Sequence, residues 1–400
     1  MEHILSKFKG DKIIWIVVLL LSLFSAMAVY SSVETLAYAQ KTSVASHIFK
    51  HLMLIVLSIS IMWIVHLFPY QYFAGLYKLF IPLAILGLLF ATFMGERVNE
   101  AGRWIKIPII NFTIQPSDFA KVALIMFLAR YLSKHQDNLN SIKGYYGFML
   151  LVIFAISGLI FIENFSTSIM VLVMAFTMMF VGRVKSTLLF GTIGVGVIFG
   201  ALFIFMVMNV SDDYLKFGRL KTIKSRIEEY TTTKDKKDMQ YQVKQAHIAI
   251  ARGGIMPNGP GNSRQKNFLP NAFSDYVYAI IIEEWGLLGG IVLIILYLTL
   301  LYRVVLIVIK SPRTFGALLA LGLGLSIVIQ AFVNMSVNVG LLPSTGVTLP
   351  LVSMGGSSLL FFGIAFGVII SVSRSVELEE LGKAPSKETY IDELTSQIAV

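Results

Sequence analysis

The chain has 400 residues, of which 56% are hydrophobic and only 14% charged, with a net charge of +10 and a mean hydropathy of +0.76. A soluble domain of this length has no use for so much apolar surface, so the composition points to an integral membrane protein. Cysteine is absent, which excludes disulfides and thiolate metal sites.

A membrane-spanning helix takes roughly 20 apolar residues, and hydropathy offers about ten such segments. The first, Ile13–Ser32, is too long for a signal peptide and lacks a cleavage site, so it is expected to be a retained helix. His51–Phe68 and Leu79–Met94 follow, then Phe119–Ser133, Tyr146–Ile162, Ser166–Gly182 and Leu188–Val210. After a long polar insertion, 211–275, come Tyr276–Tyr302, Thr314–Val337 and Leu359–Ser373. The fold class is therefore an all-α integral membrane bundle of about ten helices with one large extracytoplasmic loop between the seventh and eighth. Residues 1–373 form the membrane domain, and 374–400 a polar, acidic cytoplasmic tail.

Lysine and arginine in the short loops give the orientation. Lys7, Lys9 and Lys12 precede the first segment; Lys134, Lys143, Arg183, Lys185, Arg303, Lys310, Arg313, Arg374, Lys383 and Lys387 follow even-numbered ones. All fall on one side, which predicts both termini in the cytoplasm and contact there with anionic lipid. The opposite side carries a mixed loop with Glu96, Arg97, Glu100, Arg103 and Lys106, and then the long insertion. That insertion is basic, with Arg252, Arg264 and Lys266 among its cations. It reads either as a solvated loop or as a landing surface for an anionic ligand near the headgroups; nucleic acid is not expected on that side. Within it, Asp212–Asp238 is charged and helix-friendly. Met239–Ile250 reads as an amphipathic helix with Tyr241, Gln245 and Ile248 at helical spacing. Gly253–Pro270 is rich in breakers and reads as loop.

Asn338–Ser358, NVGLLPSTGVTLPLVSMGGSS, lies between two apolar segments and packs Pro343, Pro350, Gly346, Gly355 and Gly356 among hydroxyls. Irregular backbone at membrane depth persists only where protein or a watery cavity surrounds it. The run is therefore expected to line a cavity, with Ser344, Thr345, Ser353 and Ser357 able to meet something polar, although the same residue types also suit a tight inter-helix turn.

Ionisable residues near membrane segments are costly and are default site candidates. Asp275 lies where the insertion enters the eighth segment. It reads as a helix cap or as a general base at a cavity mouth. Glu283 and Glu284 follow, either as partners of buried cations or facing a watery pocket. Asp118 and Lys121 are three apart in QPSDFAK, on one helix face. They read as a helix start with a snorkelling lysine, or as a fixed charge inside the bundle near Asp275. Arg103, before Trp104, suits an interface anchor or a phosphate ligand. The histidines are scattered and form no metal constellation.

Three long runs resemble the SEDS family (shape, elongation, division and sporulation proteins, the FtsW and RodA group). They are GRWIKIPIINFTIQPSDFAKVAL, YQVKQAHIAIARGGIMPNGPGNSRQKNFLPNAFSDYVYAIIIEEWGLLG and GLLPSTGVTLPLVSMGGSS, in the family's order. The GNSRQK and FKGDKIIWIV elements are more similar to the division member than to the elongation member. The resemblance implies a peptidoglycan glycosyltransferase that polymerises lipid II at the outer face of the cytoplasmic membrane and releases undecaprenyl diphosphate. Its implied partners are a class B penicillin-binding transpeptidase and other divisome membrane proteins. Asp275 matches the family's essential aspartate, Asp118 and Lys121 its Glu and Lys, and Arg103 its Arg before Trp-Ile. No cofactor is certain; a divalent cation, magnesium or manganese, would suit the diphosphate, but no ligand cluster demands one. Departures are Asp118 for Glu, Phe273 and Ser274 for His and Thr, Asn164 for an Asp, and Pro257 in the glycine-rich loop. A lipid-precursor flippase, an elongation-type polymerase and a non-catalytic scaffold are the competing functions.

Overall fold

The computed structural model describes residues 9–39, 41–98, 101–107, 112–136, 144–210, 224, 237–269 and 272–382. The described chain is mostly helical. In order, the helices are α1 (Lys12–Ser32), α2 (Glu34–Ala39), α3 (Val44–Leu67), α4 (Phe73–Met94), α5 (Pro116–Lys134), α6 (Tyr145–Glu163), α7 (Phe165–Val181), α8 (Ser186–Asn209), α9 (Lys237–Gly253), α10 (Val277–Lys310), α11 (Thr314–Asn338) and α12 (Ser357–Glu380). Each apolar segment predicted from hydropathy coincides with one of them. By length and composition, 8 helices among the described residues can cross a membrane. The predicted segments start late at α3 and α4 and stop early at α10 and α12, because hydropathy fades before backbone hydrogen bonding does.

α5, α11 and α12 form the interior. The best apolar window of α12 is 83% buried and that of α11 67%, whereas that of α8 is 6% buried. The apolar core joins residues of α1, α5, α7, α10, α11 and α12, such as Leu21, Leu124, Met178, Leu300, Leu319 and Phe366. One end of the bundle is tied by polar contacts between distant parts of the chain. Asp11 caps α1 by accepting from Ile13 N (2.9 Å) and Ile14 N (3.4 Å), and pairs with Arg303 Nε at 2.6 Å. Gly10 N donates to the Glu377 carboxylate at 3.0 Å.

Three features differ from the sequence reading. The mixed loop after α4 holds a small antiparallel sheet, β1 (Glu96–Val98), β2 (Ala101–Ile107) and β3 (Phe112–Ile114), with Glu96 opposite Trp104 and Ile105 opposite Ile114. Its strands are too short for alternation to stand out from the charges. α12 does not end at Ser373: it runs to Glu380, and Arg374 is 1% exposed, donating to Leu67 O at 3.1 Å. Carbonyls at the end of α3 take up the buried guanidinium, so the charge does not end the helix. α9 is helical as expected, but its packed face is Ala246, Ala249 and Gly253, not Tyr241 and Ile248. Small residues let it lie close: a Cβ on Gly253 would stand 2.0 Å from Ile282 O. Most of Asp212–Asp238 and the tail beyond Gly382 lie outside the described residues.

α10 is broken. Gly286 sits at φ 68°, ψ −177° inside it. The Tyr278 hydroxyl reaches Gly290 O at 3.4 Å, 12 residues on, where a straight helix would place them about 18 Å apart. The Val277–Trp285 half is thus folded back beside the half that follows. From Leu287 to Lys310 the helix rises about 36 Å, enough to cross a hydrocarbon core of about 30 Å. The half after the break is therefore long enough to span alone, and Asp275 lies just before the half that folds back.

Candidate functional site

The break leaves backbone groups of α10 without helical partners, and the 254–266 loop takes them up. Leu287 N donates to Gly254 O and Gly259 N to Glu284 O, both at 2.9 Å, and Asn258 Nδ2 donates to Glu283 O at 2.9 Å. Glu283 and Glu284 neither pair with buried cations nor stand in an open pocket. Glu283 accepts from the Ser263 hydroxyl and from the amides of Arg264 (3.1 Å) and Gln265 (3.2 Å). Glu284 accepts from the hydroxyl of Ser31 on α1 and from Ser263 N at 3.4 Å. Both side chains are buried, where a carboxyl oxygen needs such donors. They hold the Arg264 main chain while its side chain faces outward, and Arg252 is also exposed. Lys266 is less open: its Nζ donates to Gly261 O (3.3 Å) and lies 3.5 Å from Glu34.

Asp275 lies between this loop and α10, half-buried. It does not cap the helix: the N-cap position is Tyr276, with no side-chain cap bond. Ser274 Oγ donates to Asp275 Oδ1 at 2.9 Å, so the hydroxyl that replaces the family's Thr bears directly on the carboxylate. The irregular run between α11 and α12 faces it. Met354 N donates to Phe273 O (2.9 Å) and Ser353 Oγ to Ser274 O (2.6 Å), and a Cβ on Gly346, at φ +64°, would stand 3.7 Å from Asp275 Oδ2. That run is protein-lined, as its backbone chemistry requires: Tyr297 Oη donates to Pro350 O at 2.6 Å.

The predicted hydroxyls divide. Ser353 is spent on tethering, since it also accepts from Leu349 N at 2.8 Å. Ser357 accepts from Gln115 N at 3.0 Å and so anchors the strand that leads into α5. Thr345 is buried. Ser344 Oγ is buried and has no hydrogen-bond partner among the described residues.

Pro116 opens α5 and places Asp118 in its first turn. Asp118 and Lys121 pair at 2.8 Å. Lys121 does not snorkel: it is 8% exposed and donates to Gln330 Oε1 at 2.9 Å. The shorter aspartate thus closes the pair within one helix turn. The second oxygen of Asp118, Oδ2, has no hydrogen-bond partner among the described residues. A cavity of about 20 Å³ adjoins the pair, lined by Ser326, Ser358 and Phe361 among others. Arg103 belongs to β2 through its backbone, and its side chain lies outside the described residues. Asn164 serves α7 as N-cap, accepting from Thr167 N at 3.3 Å. Among the described residues no group of three or more His, Asp or Glu side chains can hold a metal ion.

Sequence reasoning missed Gln330, Asn334 and Asn338. Asn334 and Asn338 both donate to the main-chain oxygen of Asp275, at 2.9 and 3.0 Å. Three carboxamides spaced four apart in an apolar helix were the available signal.

The family model for cell cycle proteins of the FtsW, RodA and SpoVE type matches residues 11–378. A probable peptidoglycan glycosyltransferase FtsW of Geobacter sp. (strain M18) is 33% identical over 291 residues, covering 72% of this chain and 76% of its own. One of the same name from Haemophilus influenzae is 35% identical over 314 residues, covering 77% and 75%. Among solved structures, a chain from a peptidoglycan synthase complex that coordinates polymerisation and crosslinking aligns with TM-score 0.71 at 22% identity, over 92% of this chain and 98% of that one. The rod shape determining protein RodA of Thermus thermophilus aligns with TM-score 0.64 at 20% identity, over 92% and 97%. With the family model spanning nearly the whole chain and the same bundle in its structural neighbours, the chain belongs to the FtsW/RodA/SpoVE family of cell cycle proteins.

Proposed function

We propose that this chain is a peptidoglycan glycosyltransferase of the division type, polymerising lipid II at the outer face of the cytoplasmic membrane with Asp275 as general base. The observation that carries the assignment is the setting of Asp275. Its carboxylate is not used as a helix cap, its main chain is tethered by two buried asparagines, and it faces the irregular Ser344–Ser353 run across Gly346.

The donor sugar sits on a lipid diphosphate, already a good leaving group. The acceptor is a sugar hydroxyl, a weak nucleophile at neutral pH. Asp275 takes the hydroxyl proton as the acceptor oxygen bonds to the donor's anomeric carbon. The bond from that carbon to the diphosphate breaks, and the lipid diphosphate departs with the electron pair. A single base and no second nucleophile give inversion. A positioned base contributes roughly 100- to 10,000-fold. The exposed cations Arg252 and Arg264, with Arg103, meet the diphosphate, and holding two large substrates side by side supplies much of the rest. Lys121, paired with Asp118, keeps a fixed positive charge within the bundle. Ser344, with no hydrogen-bond partner among the described residues, is the predicted hydroxyl left to meet substrate, which requires the run to open since its oxygen is buried.

Both termini are assigned to the cytoplasm, supported by the basic short loops and by the shared end of the bundle where Gly10 meets Glu377. The partner is a class B transpeptidase, supported by the solved complex that couples polymerisation to crosslinking.

The test is polymerisation of labelled lipid II by the purified chain in detergent. Wild type is expected to make glycan polymer, and Asp275→Asn to lose it by at least about 100-fold while melting as wild type does. Polymer made without two compartments cannot be transport, which separates this function from a flippase. Undiminished synthesis by Asp275→Asn would refute the assignment of the base.

A further inference from the structure

Gln330, Asn334 and Asn338 lie four residues apart on one stripe of α11, and none is more than 4% exposed. Amides buried among apolar helices are costly unless bonded, and all three are bonded toward one place. Asn338 Nδ2 donates to Asp275 O (3.0 Å), while its Oδ1 accepts from Ala279 N (3.1 Å). Asn334 Nδ2 donates to Asp275 O (2.9 Å) and to Val347 O (2.7 Å). Gln330 uses both ends: Oε1 accepts from Lys121 Nζ (2.9 Å) and Nε2 donates to Thr348 O (3.0 Å). Val347 and Thr348 follow Gly346, the residue that faces the Asp275 carboxylate.

We propose that Gln330, Asn334 and Asn338 are positioning residues: a carboxamide ladder that fixes the main chain carrying Asp275 and ties it, through the Ser344–Ser353 run, to the Lys121–Asp118 pair. The proposal rests on the glycosyltransferase function above. A base works only within hydrogen-bond reach of the proton it removes, and Asp275 precedes its helix, outside the repeating bonds that hold helical backbone. Two amide donors on its carbonyl replace that support. They come from α11, which is packed on most sides and is therefore a rigid reference. Gln330 extends the ladder by one turn and sets the opposing loop against the same helix, so base and loop keep a constant separation. None of the three needs to touch substrate.

The experiment uses the full purified chain with labelled lipid II over a pH series, comparing wild type with Asn334→Asp, Asn334→Ala and Gln330→Glu. Asn334→Asp keeps the shape and removes two donors. Gln330→Glu keeps the acceptor for Lys121 and removes the donor to Thr348. Both Asn334 variants are expected to lose about 100-fold in kcat, with KM for lipid II changing by less than about twofold. Gln330→Glu is expected to lose about tenfold, since it removes one loop tether and leaves Asp275 O bonded. Asn334→Asp also moves the acidic limb of the pH–rate profile upward, because a neighbouring carboxylate disfavours ionised Asp275; Asn334→Ala leaves the limb in place. A role in folding alone would lower melting temperature and the yield of folded protein but leave kcat per folded molecule and the pH limb unchanged, and that result would overturn the proposal. Should Asn334→Asp fail to fold, wild-type kcat in folded Gln330→Glu overturns it instead. Wild type that makes no polymer overturns the glycosyltransferase function and this inference together, whereas active wild type with kinetically silent variants overturns the inference alone.

Discussion

Asp118 and Lys121 were visible in the sequence as a pair on one helix face, but their surroundings decide what the pair is. Both are at least nine-tenths buried and pair at 2.8 Å. Removing one partner of a buried pair strands the other charge, at a cost of about 3–5 kcal/mol. Lys121→Met is therefore expected to lower the melting temperature in detergent sharply, and Asp118→Asn combined with Lys121→Met to recover most of the loss. Equal melting of the single and double variants would mean the charge is not stranded. Asp275 posed a similar ambiguity between cap and base. An aspartate before a helix has the same local sequence in both cases; the N-cap position falls to Tyr276, which removes the cap and leaves the base as our proposal. Glu283 and Glu284 show the limit of residue-level reading: their partners are amides and a hydroxyl some 20 residues away in the 261–265 loop and the Ser31 hydroxyl on α1, and no local pattern announces them.

The element that shapes the site is α10. Its composition reads as one spanning helix, and the two glutamates and three glycines of EEWGLLGG do not by themselves distinguish a break from buried polar groups. Gly286 occupies a region of backbone space open essentially to glycine alone, at φ 68°, ψ −177°. A Cβ there would also stand 2.5 Å from Ile255 O. Gly286→Ala is expected to cost about 1–3 kcal/mol from the backbone alone, with more from the clash. It should also free the 254–266 loop, read as faster protease cleavage at Arg264 and reduced polymerisation; wild-type cleavage and activity would show that the break is not held by this glycine. The breaker-rich loop was legible as loop, but its attachment to the break was not, because the contact depends on Gly253 and Gly286 letting two backbones meet. α9 was legible as an amphipathic helix, yet the obvious apolar face was not the packed one. Close approach through Ala246 and Ala249 outweighed side-chain size.

At the scale of the whole molecule, the bundle has a polar-tied end, where Asp11, Arg303, Gly10 and Glu377 meet, and an opposite end that carries the α10 break, the 254–266 loop and Asp275. The chain lacks cysteine, so single introduced thiols report sidedness without background. Asn267→Cys is expected to react with a membrane-impermeant maleimide in intact spheroplasts, and Glu380→Cys only after permeabilisation; the reverse pattern would invert the proposed orientation. The sequence by itself determined the membrane class, the helical segments and the three runs that carry the family. Spanning helices are written in composition, and signature runs keep their residues in order. Tertiary structure alone decided that α10 folds back, that two glutamates clasp a loop, and that two buried asparagines hold the main chain of Asp275 while Gln330 holds the facing run. Most of these contacts end on backbone atoms as far as 63 residues away, and backbone atoms are shared by every residue and encoded by no residue type.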